Sequence, residues 1–162
     1  MRLIGKKLLL LVTDGVDEEE FDELKEGFEA ERAEVLVTTP QEFITVETVK
    51  EGKRGKDIEV DLPFEMVDSQ QFDGLIIPDG LISAELLRKD MRVLNLVFMF
   101  NQQKLPIFAS GSAVDVLYDS QVLSNSILIR EGTPMSQFLS QAVGILLDRV
   151  APAQAYRPTI TA

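Results

Sequence analysis

Two small groups of polar side chains in this 162-residue chain could do chemistry. The first is acidic and follows two apolar runs; it consists of Asp14, Asp17, Glu20 and Asp79. The second is hydroxylic and consists of Ser110 and Ser112 on either side of Gly111. Carboxylates held close together either raise a carboxyl pKa or recruit a cation such as Mg²⁺, and a serine becomes a nucleophile when a base removes its proton. Both groups are therefore candidates for a ligand site or a hydrolytic site.

The chain contains neither cysteine nor histidine, and this limits the chemistry of both groups. Without cysteine there is no disulfide, no thiolate metal site and no thiol nucleophile. Without histidine, the side chain best suited to proton transfer near neutral pH is missing. A serine hydrolase would have to use Glu20 or Lys104 as its base, and our preferred interpretation is that Ser110 and Ser112 cap the following helix. We therefore predict no catalytic residue, no metal and no cofactor.

The charge balance argues against several kinds of partner. The net charge is −11, from 27 acidic and 16 basic residues, and so negative a surface repels phosphate backbones and anionic lipids. No apolar run approaches the roughly 20 residues that a membrane helix needs. Basic residues before Leu8 resemble the start of a signal peptide, but acidic residues follow where a cleavage site should lie. We predict a cytoplasmic protein that binds neither nucleic acid nor membranes.

The order of apolar segments predicts an α/β fold. Residues 8–13 form a continuous apolar run, typical of a strand covered on both faces, and helical spacing of apolar residues follows over 18–28. Alternating strands and helices predict a doubly wound, mainly parallel sheet in one domain over residues 1–150, with an irregular tail at 151–162. Further strands are predicted at 34–38, 72–77, 106–109 and 127–129, with a β-hairpin excursion over 43–61.

The carboxyl ends of parallel strands meet at one edge of a sheet, and α/β folds bind their ligands at that edge. The polar residues that fall there are the ligand-binding candidates, for a small molecule of unknown identity: Asp14, Glu20, Asp79, Ser110 and Ser112. The alternative is that the acidic members are simply solvated, as is common in an acidic protein.

Two helices are predicted to begin at polar caps, Ser83 for a short helix and Asp90 for a helix running to about residue 101. The second of these is apolar on two faces, with Val93, Leu96, Val97 and Phe100 on one and Met91, Leu94 and Phe98 on the other. A helix flanking a sheet needs only one apolar face, so the second face predicts a homodimer. The alternative is that the C-terminal helix, predicted over 138–150, covers this face.

Three segments together resemble the DJ-1/PfpI superfamily. The stretch KKLLLLVTDGVDEEE (residues 6–20) is similar to its first strand and acidic turn, and GKDIEVDLPFEMVDSQQFDGLIIPDG (55–80) is similar to its segment ending in paired glycines. LPIFASGSAVDVL (105–117) lies where the family has its nucleophile elbow. The resemblance covers about residues 5–150 and implies a class I glutamine amidotransferase-like, flavodoxin-like fold.

The same resemblance implies a vestigial active site. It places the family's catalytic cysteine at Gly111 and the neighbouring histidine at Ser112, so both are lost. The paired glycines whose N–H groups help to bind an oxyanion fall at Asp79 and Gly80, so one remains. The acidic residue beneath the cysteine corresponds to Glu20, which is present. The resemblance also implies a deletion after Leu123 of roughly two to three dozen residues, the length of a loop and a strand.

These observations predict a non-catalytic member of the family that acts through binding or assembly. Two alternatives remain open at this point. One is a residual hydrolase or lyase that uses Glu20 and a serine of the elbow. The other is a receiver-like phospho-acceptor domain built on Asp14, Asp79 and Ser110, although the hairpin over 43–61 is foreign to such domains and Arg130 stands where their lysine is expected.

Overall fold

The computed structural model describes residues 2–122 and 127–148. Its strands, in chain order, are β1 (Lys7–Leu11), β2 (Val16–Asp17), β3 (Glu34–Thr39), β4 (Thr45–Lys50), β5 (Lys53–Glu59), β6 (Leu62–Pro63), β7 (Gly74–Ile77), β8 (Ile107–Ser110) and β9 (Ile127–Arg130). Its α-helices are α1 (Glu18–Ala30), α2 (Leu81–Arg88), α3 (Met91–Gln102), α4 (Val114–Asp119) and α5 (Met135–Asp148).

Six of the strands form one parallel sheet in the order β6-β3-β1-β7-β8-β9. The central strand β1 is buried on both faces, because Leu8 and Leu10 pack on one side and Leu9 and Leu11 on the other. This explains the continuous apolar run, since a strand covered by helices on both faces has no polar side to present to water. The predicted doubly wound sheet is confirmed.

The helices divide between the two faces of this sheet. Apolar side chains of α1 and α5 pack with Leu8 and Leu10, whereas those of α2, α3 and α4 pack with Leu9 and Leu11. Two aromatic rings pack on the face that α1 and α5 cover, where the ring centroids of Phe28 in α1 and Phe108 in β8 are 5.8 Å apart. The result is a three-layer arrangement of helices, sheet and helices. Because the six strands are parallel, their carboxyl ends all lie at the same edge of the sheet.

The hairpin excursion is also confirmed. β4 and β5 pair antiparallel with an irregularity between Glu47 and Val49, and β2 joins them in a second, smaller sheet. Glu18 of α1 lies beneath this hairpin, where its carboxylate accepts hydrogen bonds from Lys56 N at 2.7 Å and Thr48 Oγ1 at 3.1 Å. The backbone hydrogen bond from Lys56 is the largest cause that lowers the pKa of Glu18.

One of the two predicted helix caps is correct. The Asp90 carboxylate accepts a hydrogen bond from Arg92 N at 2.9 Å and caps α3 as expected. The prediction for Ser83 is wrong, because Gly80 is the N-cap of α2 and Ser83 lies inside the helix. Its hydroxyl instead accepts a hydrogen bond from Thr13 N at 3.2 Å, which joins α2 to the end of the first strand.

The second apolar face of α3 is only partly covered. Leu94 packs against the core, but Met91 and Phe98 are 66% and 42% exposed. The alternative that the C-terminal helix covers this face is wrong, because α5 packs against the opposite side of the sheet. Within the described residues, no helix is long and apolar enough to cross a membrane. The predicted tail at 151–162 lies outside those residues.

Candidate functional site

The candidate site lies where β7 and β8 end side by side. These strands are parallel neighbours, with Leu75 opposite Ile107 and Ile77 opposite Ala109, so the residues that follow them meet at the same edge. Asp79 follows β7, and Gly111 follows β8 in a left-handed conformation with a φ of +55°. The sharp turn at Gly111 directs the chain from the strand into α4.

The carboxylate of Asp79 fills the space above Gly111. Its Oδ1 atom accepts hydrogen bonds from two backbone groups, Gly80 N at 2.8 Å and Ser112 N at 2.9 Å. A Cβ atom built on Gly111 would come within 2.5 Å of this oxygen and closer still to the carboxyl carbon. Real Cβ atoms do not approach heavy atoms so closely, so Asp79 in this position requires glycine at 111.

Gly80 holds the loop after β7 against the start of the small sheet. Its φ is +155°, and a Cβ atom there would lie 2.7 Å from Val16 Cα and 2.9 Å from Asp17 N. The peptide N–H of Asp17 donates to the carbonyl oxygen of Asp79 at 3.0 Å. The backbone of this loop is therefore fixed by a close approach that only glycine permits.

Beside the elbow lies a buried ion pair. Glu20 in the first turn of α1 is 8% exposed, and its Oε2 atom accepts a hydrogen bond of 2.5 Å from Arg130 Nη1 at the end of β9. The same Arg130 nitrogen lies 3.5 Å from the Ser110 hydroxyl oxygen. Among the described residues, Glu20 Oε1 and Arg130 Nε have no hydrogen-bond partner. The pair is thus enclosed but incompletely satisfied.

The environment raises the pKa of Glu20. Burial is the largest cause, because a low-dielectric surrounding disfavours the charged form. The neighbouring Ser110 hydroxyl and the Arg130 guanidinium oppose it, and the negative charges of Asp79 and Asp17 add to it. A buried carboxyl group with a raised pKa is a feature of functional sites as well as of structural ion pairs.

The two serines do not have the predicted role. Ser110 is the N-cap residue of the turn after β8, but its side chain makes no capping hydrogen bond. The N-cap residue of α4 is Ala113, which has no polar side chain to make one. The prediction that Ser110 and Ser112 cap the following helix is therefore wrong. The physical reason lies in Asp79, whose carboxylate already satisfies the N–H of Ser112.

Asp14 does not join the other acidic residues. Its Oδ1 atom accepts hydrogen bonds from Glu47 N at 2.8 Å and Gln41 Nε2 at 3.1 Å, so it braces the hairpin. It lines a surface cavity of about 240 Å³ together with seven other residues. These are Gln41, Phe43, Ile44, Thr45, Glu47, Arg54 and Asp57. Across residues 2–122 and 127–148, no group of three or more acidic side chains could hold a metal ion.

Sequence reasoning missed the role of Arg130. It was not predicted to have a role at the site, yet it is the cation that pairs with Glu20 across the sheet edge. The signal was present, because Arg130 directly follows an apolar run and must therefore lie at the same carboxyl edge as Ser110, its partner in the strand register. Asp17, one of the four candidate acidic residues, is the N-cap of α1.

Comparison with known proteins places this geometry in a family. YraA of Bacillus subtilis, whose name proposes a cysteine protease, is 33% identical over 122 residues, which cover 74% of this chain and 68% of YraA. Protein/nucleic acid deglycase 2 of Escherichia coli is 28% identical over 121 residues, covering 74% of this chain and 67% of that protein. The chain thus spans about two thirds of each relative's length.

The structural comparison agrees with the sequence comparison. The crystal structure of Drosophila melanogaster DJ-1beta matches with a TM-score of 0.75 over 98% of this chain and 99% of that chain, at 16% identity, which supports the fold. The model of the DJ-1/PfpI family matches residues 6–128. This range contains β1, Glu20, the Asp79 loop and the elbow at Gly111, and the chain therefore belongs to the DJ-1/PfpI family.

Proposed function

We propose that this chain is a non-catalytic member of its family and acts through binding or assembly. The observation that carries the proposal is the elbow itself, where Gly111 has no side chain and the Asp79 carboxylate lies in the space that a side chain would take. A nucleophile needs an accessible thiol or hydroxyl group at this turn, with a base to deprotonate it. Gly111 supplies no such group.

The remaining acid is also poorly placed to act as a base. Glu20 is engaged by Arg130 through a hydrogen bond of 2.5 Å. Proton abstraction requires a carboxylate within hydrogen-bond reach of the proton that it removes. Its other oxygen, Oε1, has no partner among the described residues, but it is buried, so a substrate would have to displace covering residues to bring a proton within reach of it.

A residual hydrolase or lyase is the second candidate, and one observation favours it. The Ser110 hydroxyl lies beside both Glu20 and Arg130, so a serine and an acid do meet at the elbow. Ser110 is only 1% exposed, however, and a substrate would need to displace covering residues before reaching it. Ser112 is more accessible, but its described hydrogen bond is made by its backbone N–H.

The test is to assay the purified protein for glyoxalase, deglycase, amidase and peptidase activity. A cysteine-containing family member serves as the positive control. We expect no turnover above background. Turnover that disappears in Glu20→Gln, Ser110→Ala or Ser112→Ala would overturn the proposal. Loss of that turnover both in Glu20→Gln and in a serine variant would favour the serine mechanism.

For assembly, we propose a two-fold homodimer that covers the exposed part of α3. Support comes from Met91 and Phe98, which present large apolar side chains to solvent on one helix. We also propose a cytoplasmic protein, supported by the acidic residues that stand after Val12 where a signal-peptide cleavage site would lie. The net charge of −11 supports the proposal that it does not bind nucleic acid.

A further inference from the structure

Two backbone N–H groups converge on one point at the edge of the sheet. Gly80 N comes from the loop after β7 and Ser112 N from the turn after β8, and both donate to the same atom, Asp79 Oδ1, at 2.8 and 2.9 Å. N–H groups from separate segments that point at one oxygen form a site for negative charge. The occupant of this site is a carboxylate of the chain itself.

The occupant and the elbow glycine depend on each other. With Asp79 in place, any residue larger than glycine at position 111 would bring its Cβ atom within 2.5 Å of Oδ1. The left-handed φ of +55° at Gly111 adds strain for other residues, but that strain is the same whichever side chain stands at 79. The steric clash, by contrast, exists only while the carboxylate is present.

We propose that Asp79 is a built-in ligand that closes this anion site, and that its removal opens the site to a small external carboxylate such as acetate. Asp79 is tethered next to the site, so an external anion competes with it poorly in the natural chain. The site then selects for a monoanionic carboxylate, because that is the group its two donors already hold. This inference does not depend on whether the protein is catalytic.

A single cysteine at the elbow reports directly on the occupant, because the natural chain contains no thiol. The experiment compares Gly111→Cys with the double variant Asp79→Ala/Gly111→Cys, measuring the rate of alkylation by iodoacetamide against pH to obtain each thiol pKa. Asp79 is not among the residues with positive φ, so alanine fits its backbone. Lys53→Cys, with and without Asp79→Ala, is the matched control at an exposed position.

We expect the thiolate-to-thiol ratio at a given pH to be about tenfold larger in the double variant. In that variant the two N–H groups are free to stabilise the thiolate, and the carboxylate that repels it is gone. The two Lys53→Cys proteins should have equal thiol pKa values. Equal pKa values in the two Gly111→Cys proteins would overturn the proposal.

A second measurement needs no residue at the strained position. In Asp79→Ala, titration with sodium acetate should shift the amide resonances of Gly80 and Ser112, and the natural protein should show no such shift. Asp14→Ala is the control, since it removes a carboxylate that also accepts a backbone hydrogen bond but lies at the hairpin. Unmoved Gly80 and Ser112 amides in Asp79→Ala would overturn the proposal. Turnover by the natural protein would overturn only the proposed function.

Discussion

Replacing Arg130 by methionine would leave Glu20 buried without its cation, and the size of the effect follows from the structure. Removing one partner of a buried ion pair destabilises a protein by about 3–5 kcal/mol. The Arg130 and Glu20 side chains are 23% and 10% exposed, so we expect a smaller loss of about 2–3 kcal/mol at pH 7. For a chain of this size, the melting temperature should fall by about 5–10 °C.

The loss should depend on pH. The pKa of Glu20 already lies above its ordinary value of 4.5 because of burial, and without Arg130 it rises further. A group with a raised pKa in the folded state contributes stability that is fully present below the unfolded value and is lost as pH rises through the folded value. The penalty of Arg130→Met should therefore be largest near pH 7 and shrink as pH falls toward 4.5 and below.

The assay is urea unfolding followed by far-ultraviolet circular dichroism at several pH values. Lys25→Met is the matched control, because the Lys25 to Glu29 ion pair of 2.9 Å is exposed and its loss should cost less than about 1 kcal/mol. Glu20→Gln in the Arg130→Met background should recover much of the stability and remove the pH dependence. If Arg130→Met costs no more than Lys25→Met, or equally at all pH values, the reasoning is refuted.

Three further predictions concern packing, assembly and cations. Gly80→Ala should lower the free energy of unfolding by more than about 2 kcal/mol in chemical denaturation, because its Cβ atom would clash with Val16. Gly144→Ala in α5 should raise this free energy by about 0.5–1 kcal/mol, because nothing lies within 4 Å of the added Cβ atom and alanine favours a helix. Light scattering should give twice the 18.1 kDa chain mass, because the exposed face of α3 is covered in the dimer. Phe98→Glu should be monomeric, whereas the exposed control Gln141→Glu, in α5 on the other side of the sheet, should leave the mass unchanged. A single 18.1 kDa species in the natural protein would contradict the dimer. Millimolar Mg²⁺ or Ca²⁺ should leave the melting curve unchanged relative to EDTA, and a rise in melting temperature would reopen the metal and receiver interpretations.

The sheet could be predicted from sequence because its signals are local. Continuous apolar runs ending in turn residues marked β1 and β7, and the carboxylate of Asp90 marked the start of α3. Such patterns depend on residues close together in the chain, so they survive without knowledge of the tertiary contacts.

The contents of the site could be predicted only in part. The sequence predicts that Asp79 and Gly111 lie at the same edge of the sheet. It does not predict the direction of the Asp79 carboxylate, because that direction is set by the N–H of Ser112, 33 residues away. The cap assigned to Ser83 failed for a similar reason, because Gly80 begins the helix under constraints from Val16. Side-chain direction at a strand end depends on long-range packing that spacing does not encode.

The clash between Asp79 and a side chain at position 111 also restricts the evolutionary paths open to this protein. A substitution that placed a nucleophile at the elbow would meet a carboxylate within 2.5 Å of its Cβ atom, so that step would carry a penalty until position 79 also changed. Effects of residues in such contact are not additive, and the order in which they are replaced matters. The pair thus acts as a ratchet: while Asp79 is present, a side chain can be placed at position 111 only if the Asp79 carboxylate moves or is replaced.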